Sequence, residues 1–396
     1  MTLVIYTVNV SPHVIPFVEE VRRQRPDIVI KYIVRGFEGL RPVEKNSPKR
    51  GWDDFCKVDY VMRAADDWEE TRRLMRECDV LFCGFRETEI FEERIRVGRL
   101  TYYNGERWLK PYAIFNRDKY IGPFHLAPRL PGMMRWLSSR FRKMVRRFIR
   151  LIESDRFVFL GIGTYAVRDF VRLRRLVRGE WRALFKCPEI PEDRHLMSEV
   201  DGCPQIRLWG YFVSPSVDGA ANDKEKDTAA GDQAHVMKLL WVGRMLHWKR
   251  VDTIIQAVKG DDRFKLTLLG SGDDEGRLRH LTRDYDNIVF HEPEDLPGVR
   301  RVMRENDLLI LSSNLSEGWG AVASEAIEEG VKVVGTYEAG STATMLPETN
   351  LFHAGDVNGL RNVLLSGKIV RISPDAWSAR HAAAEFIKDM EARLGK

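Results

Sequence analysis

The chain has 396 residues, 44% hydrophobic and 31% charged, with a formal net charge of +5. That length calls for two cores, and that balance excludes a disordered or fibrous protein. The charge is too small for the whole molecule to act as a polyanion binder, so anionic partners must be met by local patches.

The opening, "LVIYTVNV", has the continuous apolar character of a strand buried on both faces. An amphipathic helix follows, with Ser11 as its cap and Pro12 at its first position, and then the strand "IVIKYIVR", which completes a parallel βαβ unit. "MTLVIYTVNV" lacks the basic start and small-residue cleavage site of a leader, and no run reaches the roughly 18 apolar residues of a membrane span. The charged helical stretch "DDWEETRRLMREC" leads into the strand "DVLFCGF", and "RFVFLGI" and "QIRLWGYF" are further strands. Cys56, Cys78, Cys83, Cys187 and Cys203 form an odd set with no Cys-x2-Cys pair. They are expected to be reduced thiols of a cytoplasmic protein, neither a disulfide framework nor a zinc site.

Residues 129–152 hold eight arginines or lysines and no acid, with Met133, Leu137, Phe141, Met144, Phe148 and Ile152 at helical spacing. Two readings stand. The helix lies on an anionic membrane surface through Arg140, Arg142, Arg146 and Arg147, or it is a core helix with a solvated basic face. No stacking motif accompanies the charge, so nucleic acid is not expected as a partner. From Val213 the chain turns small and polar, "VSPSVDGAANDKEKDTAAGDQAHV", which places a linker or exposed loop at 214–236 between a domain at 1–213 and a second at 237–373. In the second, "KLLWVGR", "FKLTLLGSG", "NIVFH", "DLLILSS" and "KVVGT" alternate with helices through "VDTIIQAV", "EGRLRHLTRDY" and "VASEAIEEG". This is a doubly wound α/β pattern, and 374–396 adds a capped terminal helix expected to pack back on the first domain.

Ligands of open parallel sheets bind beyond the carboxyl ends of the strands, where three loops of the second domain emerge. They are "GRMLHWK" with Gly243, Arg244 and Lys249, the turn Gly270-Ser271-Gly272, and "NLSEGWG" with Glu317, Gly318, Trp319 and Gly320. Arg244 and Lys249 supply the charge a diphosphate leaving group requires, and the helix start at Ala321 and Val322 offers backbone N–H groups. Glu317 in the loop and Glu325 in the helix are spaced to accept hydroxyls on either side of a diphosphate, as in a nucleotide sugar. The plainer alternatives are a dipole partner and an exposed helix residue for the glutamates, surface charges for Arg244 and Lys249, and a simple turn for Gly270 to Gly272.

"SEGWGAVASEA" resembles the Glu-x7-Glu motif of retaining GT-B-type glycosyltransferases of the family 4 class, and "GRMLHWKRVDTIIQAV" resembles their phosphate-binding segment. "VSPHVIPF", "YYNGERWLKP", "GTYAVRDF" and "RLWGYF" are similar to a subgroup of bacterial enzymes that build surface polysaccharides. The resemblance implies a GT-B α/β fold of two Rossmann-like doubly wound domains facing a central cleft. It implies that Arg244 and Lys249 bind the diphosphate, Glu325 the ribose and Glu317 the sugar of a UDP- or GDP-sugar, without a metal or other cofactor. The acceptor would be a glycan or lipid-linked glycan at the inner face of the plasma membrane. Two departures stand out, "FHEP" at His291 near the expected base, and "AGSTATML" in part of the expected sugar pocket. His13 is a polar cap or a catalytic group facing the cleft, and His125 is a loop residue with a weaker claim. Glu106 and Arg107 are an ion pair or part of the acceptor pocket. Rival functions are a nucleotide-sugar epimerase of the same fold and a non-catalytic nucleotide-sugar-binding or membrane scaffold protein.

Overall fold

The computed structural model describes residues 1–8, 11–35, 60–64, 67–109, 135–184, 194–214 and 236–395. His125, Cys56, Cys187 and most of the expected linker lie outside the described residues. The first sheet comprises β1 (Thr2–Thr7), β2 (Val29–Val34), β3 (Val61–Arg63), β4 (Val80–Cys83), β5 (Leu100–Gly105), β6 (Phe157–Ile162), β7 (Glu199–Val200) and β8 (Cys203–Trp209). Its order is β3-β2-β1-β4-β5-β6-β8-β7, parallel throughout except for β7 against β8. The second sheet comprises β9 (Met237–Val242), β10 (Phe264–Leu269), β11 (Ile288–His291), β12 (Leu308–Leu311), β13 (Lys332–Thr336) and β14 (Leu351–Phe352). It runs β11-β10-β9-β12-β13-β14, all parallel.

The helices are α1 (Ile15–Gln24), α2 (Trp68–Glu77), α3 (Thr88–Arg96), α4 (Ser139–Ile152), α5 (Gly163–Val177) and α6 (Val251–Val258). They continue as α7 (Glu275–Thr282), α8 (Leu296–Arg304), α9 (Ala321–Glu328), α10 (Gly340–Met345), α11 (Val357–Leu365) and α12 (Ala379–Leu394). Covered on both faces by helices, the strands read as uninterrupted apolar runs: Leu3, Val4, Ile5 and Tyr6 of β1 are all fully buried. Asp67 caps α2 by accepting the Glu70 N–H at 2.8 Å, and Ser378 caps α12 through the His381 N–H at 3.1 Å. At α1 the expectation shifts. Ser11 accepts the His13 N–H into a turn, and the helix starts three residues later than Pro12, at Ile15.

Two features position the site. In each sheet the strand order reverses beside its first strand, at β1/β4 and at β9/β12, and crevices open at such switch points. The two sheets also share one hydrophobic core, in which Leu3, Phe82 and Trp209 of the first are continuous with Leu240, Leu311 and Trp319 of the second. α12 returns to the first sheet. Phe386 lies edge-on to Phe17 with ring centroids 5.3 Å apart, and Asp389 accepts the Tyr102 hydroxyl at 2.8 Å and Arg393 Nε at 2.8 Å.

Candidate functional site

The loops after β9 and β10 lie back to back. The Met245 N–H donates to the Ser271 carbonyl at 2.8 Å and the Asp274 N–H to the Met245 carbonyl at 2.9 Å. A Cβ on Gly272 would stand 2.5 Å from the Met245 carbonyl, and one on Gly270 would overlap that of Gly243. These glycines are therefore required by the approach of two backbones, which a simple turn would not demand. Gly243 begins the first loop, and Arg244 is exposed at its tip.

Lys249 points the other way, into an ion pair with Glu317 in which both side chains are largely buried. The same Glu317 oxygen accepts the Ser313 hydroxyl at 3.0 Å, and the Lys249 carbonyl accepts the Ser312 hydroxyl at 2.7 Å. The cation and the loop carboxylate of the sequence reading are thus direct partners across the β9/β12 switch point. Gly320 caps α9 in the left-handed conformation, with Ala321 and Val322 partly exposed on its first turn. Glu325 follows one turn on. Among the described residues no hydrogen bond or ion pair reaches its carboxylate, and burial pushes its pKa up, opposed by Arg300 and reinforced by Glu329.

The first sheet supplies the opposite wall. His13 stacks on Tyr211, centroids 5.4 Å apart and planes at 15°. Burial, and secondarily the charge of Arg300, lower the His13 pKa to about 4, so the imidazole is neutral at pH 7. Tyr211 donates its hydroxyl to Glu106 at 2.9 Å, and the Glu106 carboxylate is 3.4 Å from where a Cβ on Gly318 would sit. Arg107 corrects the ion-pair expectation. It pairs with Asp169 at 3.3 Å, not with Glu106, and it donates to the Leu315 carbonyl at 3.2 Å, joining the first half to the loop of Glu317.

Trp319, expected near the donor, is 2% exposed and is committed to packing. Its indole N–H donates to Ser324 Oγ at 3.0 Å, and its ring fills the space left by Gly163 and Gly210. A Cβ on Gly210 would stand 2.9 Å from that ring. The segment "AGSTATML" forms α10, whose six residues are all buried against α5, with the Thr164 N–H donating to Thr344 Oγ1 at 3.0 Å. His291 ends β11, where its Nδ1–H donates to the Glu292 carbonyl at 2.8 Å.

In the basic segment, the apolar face of α4 is turned inward. Phe141, Val145, Phe148, Ile149 and Ile152 are buried, and Phe148 lies edge-on to Trp108 with centroids 4.9 Å apart. The helix therefore has the packing of the core alternative. Arg140 and Arg146 are exposed together with Lys143 and Arg150. Arg147 is paired with Glu92, and Arg142 donates to the Trp136 carbonyl at 2.9 Å. These two are only partly available to a surface partner. Sequence reasoning missed Asp169, Ser313, Tyr211 and Arg300, because nothing in a local pattern marks the partner of a residue far along the chain. No helix among the described residues is long and apolar enough to cross a membrane.

Residues 223–359 match the family Glycosyl transferases group 1. A comparison with curated proteins finds no match. Among solved structures, Anabaena Alr3699/HepE in complex with UDP is similar at a TM-score of 0.54 and 12% identity, covering 99% of this chain and 95% of that one. The same protein in complex with UDP-glucose gives a TM-score of 0.52 at 11% identity, over 100% and 98% of the two chains. A glycosyltransferase from Rickettsia africae ESF-5 gives 0.53 at 11% identity, over 99% and 98%. At such identities the likeness speaks for the fold. The chain has the α/β architecture of GT-B glycosyltransferases, and its match to glycosyl transferases group 1 is confined to residues 223–359, which carry Arg244, Lys249, Glu317 and Glu325.

Proposed function

We propose that the protein is a retaining, metal-independent glycosyltransferase that moves a sugar from a UDP- or GDP-sugar to a glycan or lipid-linked glycan in cell-surface polysaccharide synthesis. The observation that carries this reading is the Lys249–Glu317 pair at the β9/β12 switch point, with Arg244 exposed in the loop that also carries Lys249, and Glu325 in the helix after Glu317 with no hydrogen bond to its carboxylate among the described residues. An arriving diphosphate meets Arg244 and draws Lys249 into a shared contact. Glu317 is then positioned for sugar hydroxyls and Glu325 for the ribose. As the bond from anomeric carbon to phosphate oxygen breaks, the departing oxygen gathers negative charge and takes the proton of the acceptor hydroxyl on the same face. The new glycosidic bond then keeps the configuration of the donor. Catalysis rests on positioning and on charge stabilisation that grows toward the transition state. The exposed residues Arg140, Lys143, Arg146 and Arg150 hold the enzyme at the cytoplasmic face of an anionic membrane in this reading.

Turnover assayed with a panel of UDP- and GDP-sugars, with and without glycan acceptors, tests the proposal. Glu325→Gln is expected to weaken binding of the free nucleotide diphosphate and raise the donor KM, whereas Glu317→Gln lowers kcat with nucleotide affinity nearly intact. Loss of nucleotide affinity in Glu317→Gln alone would reverse the two roles. Release of free nucleotide without any acceptor product would favour the epimerase, and tight binding without turnover the scaffold.

A further inference from the structure

Other arginines of the first half are held by acids, Arg107 by Asp169 and both Arg174 and Arg175 by Asp201. Arg168 and Arg194 differ. Arg168, on α5, forms no hydrogen bond or ion pair among the described residues, and its Nε–H is buried without an acceptor. Its guanidinium lies 5.8 Å from the centroid of the Tyr165 ring. Arg194 donates to the Ala343 carbonyl of α10 and to no carboxylate among the described residues. Burial, and next the nearby charge of Arg168, lower its pKa, while Glu348 only partly compensates. Arg168 thus lies against Tyr165, whose hydroxyl reaches the Tyr337 carbonyl, and Arg194 reaches α10 a few residues beyond Tyr337, and among the described residues neither is paired with a carboxylate.

Their position is at the seam of the halves. The Tyr165 hydroxyl donates to the carbonyl of Tyr337, which follows β13, and Arg107 lies 4.9 Å from the Tyr165 ring while also touching the loop of Glu317 at Leu315. Arg168 and Arg194 therefore stand on the β13 side of Glu317. Arg244 and Lys249, the cations for the donor diphosphate, come from the loop after β9.

We infer that Arg168 and Arg194, walled by Tyr165 and Tyr337, form a subsite for an oxyanion carried by the acceptor. The guanidinium fork matches carboxylate and phosphate alike, and an anion held by both side chains would offset their like charge. The oxyanion is the carboxylate of an acid sugar or the diphosphate of a lipid-linked glycan. Its assignment to the acceptor rests on the transferase reading above, whereas the anion site itself rests on the two arginines.

NMR-detected titration separates these claims. With UDP or GDP saturating the donor site, the parent protein is titrated with methyl glucuronide, with inorganic pyrophosphate and with neutral methyl glucoside. At least one anion is expected to bind more tightly than the glucoside, and Arg168→Gln, which loses no hydrogen bond of the fold, should weaken it by about tenfold. Arg168→Lys should keep part of the affinity, and raising the salt concentration should lower it in the parent. Preference for glucuronide assigns an acid sugar, and preference for pyrophosphate a lipid-linked diphosphate. Failure of both anions to bind, or equal binding by the parent, Arg168→Gln and the Arg168→Gln/Arg194→Gln double variant, overturns the subsite. If neither UDP nor GDP binds the parent, the transferase reading falls. The same titrations without nucleotide then still decide the anion site by its dependence on Arg168.

Discussion

Glu325 is an acid that the fold holds at a cost. Burial raises its pKa above the ordinary glutamate value of 4.5, against the pull of Arg300, so the fold binds its proton more tightly than the unfolded chain does. For an acid shifted in this direction, the stability contribution is complete below the unfolded value and is lost as pH rises toward the folded one. Glu325→Gln is therefore expected to raise Tm at pH 7 relative to the parent, and the gap should close as the pH falls below 4.5. A melting series across that range checks it, and a gap of constant size, or a lower Tm at pH 7, would contradict it. The same substitution weakens nucleotide binding in the proposed mechanism, so the residue exchanges stability for a ligand contact. Lys249 and Glu317 show the converse arrangement, a pair satisfied within the fold that a ligand would have to share in the proposed mechanism.

Among the elements, α4 separates what a periodic pattern says from what it leaves open. Its apolar stripe predicts a buried face, but a bilayer and a protein core are equally apolar, and the choice is made by Phe91, Trp108 and Phe157 of other segments. The two faces should respond independently. Replacing Arg140, Lys143, Arg146 and Arg150 with glutamine should leave Tm nearly unchanged and reduce sedimentation with anionic vesicles, with little effect on neutral ones. Phe148→Ala should cost about 3–5 kcal/mol of stability by chemical denaturation, whatever the lipid. Unaltered vesicle binding in the glutamine variant would remove the membrane from the account. Of the strands, those buried on both faces were legible as apolar runs. β3 has three residues, too few to show a pattern, and the Asn104-Gly105 end of β5 reads as a turn.

At the scale of the whole molecule, the halves are joined by contacts that no local pattern announces. Arg107 and Leu315 are 208 positions apart, Tyr165 and Tyr337 are 172, and Thr164 and Thr344 are 180. The loops that carry the site were legible because they follow buried strands and contain glycine. Their partners were not, because a pairing of this kind exists only once the sheets are placed. Trp319 is the clearest case. In the sequence it sits between two glycines of a ligand-like loop, and in the fold it fills the gap at Gly163 and Gly210 with Tyr211 and Trp377 beside it. Trp319→Ala should cost about 3–5 kcal/mol, and it should loosen the two halves enough to split a single unfolding transition into two in calorimetry. One unshifted transition would show that the wedge does not couple them.

Leaving-group stabilisation is the central claim. A cation beside the departing diphosphate is worth more in the transition state than in the ground state, so its loss belongs mainly in kcat. The direct measurement is kcat for Arg244→Ala and Lys249→Ala with the UDP- or GDP-sugar that the parent turns over, on variants shown by circular dichroism to be folded. Each is expected to lose on the order of 10²-fold or more, and the double variant less than the product of the two, because both act on one diphosphate. Near-parental kcat in both folded single variants would contradict the mechanism.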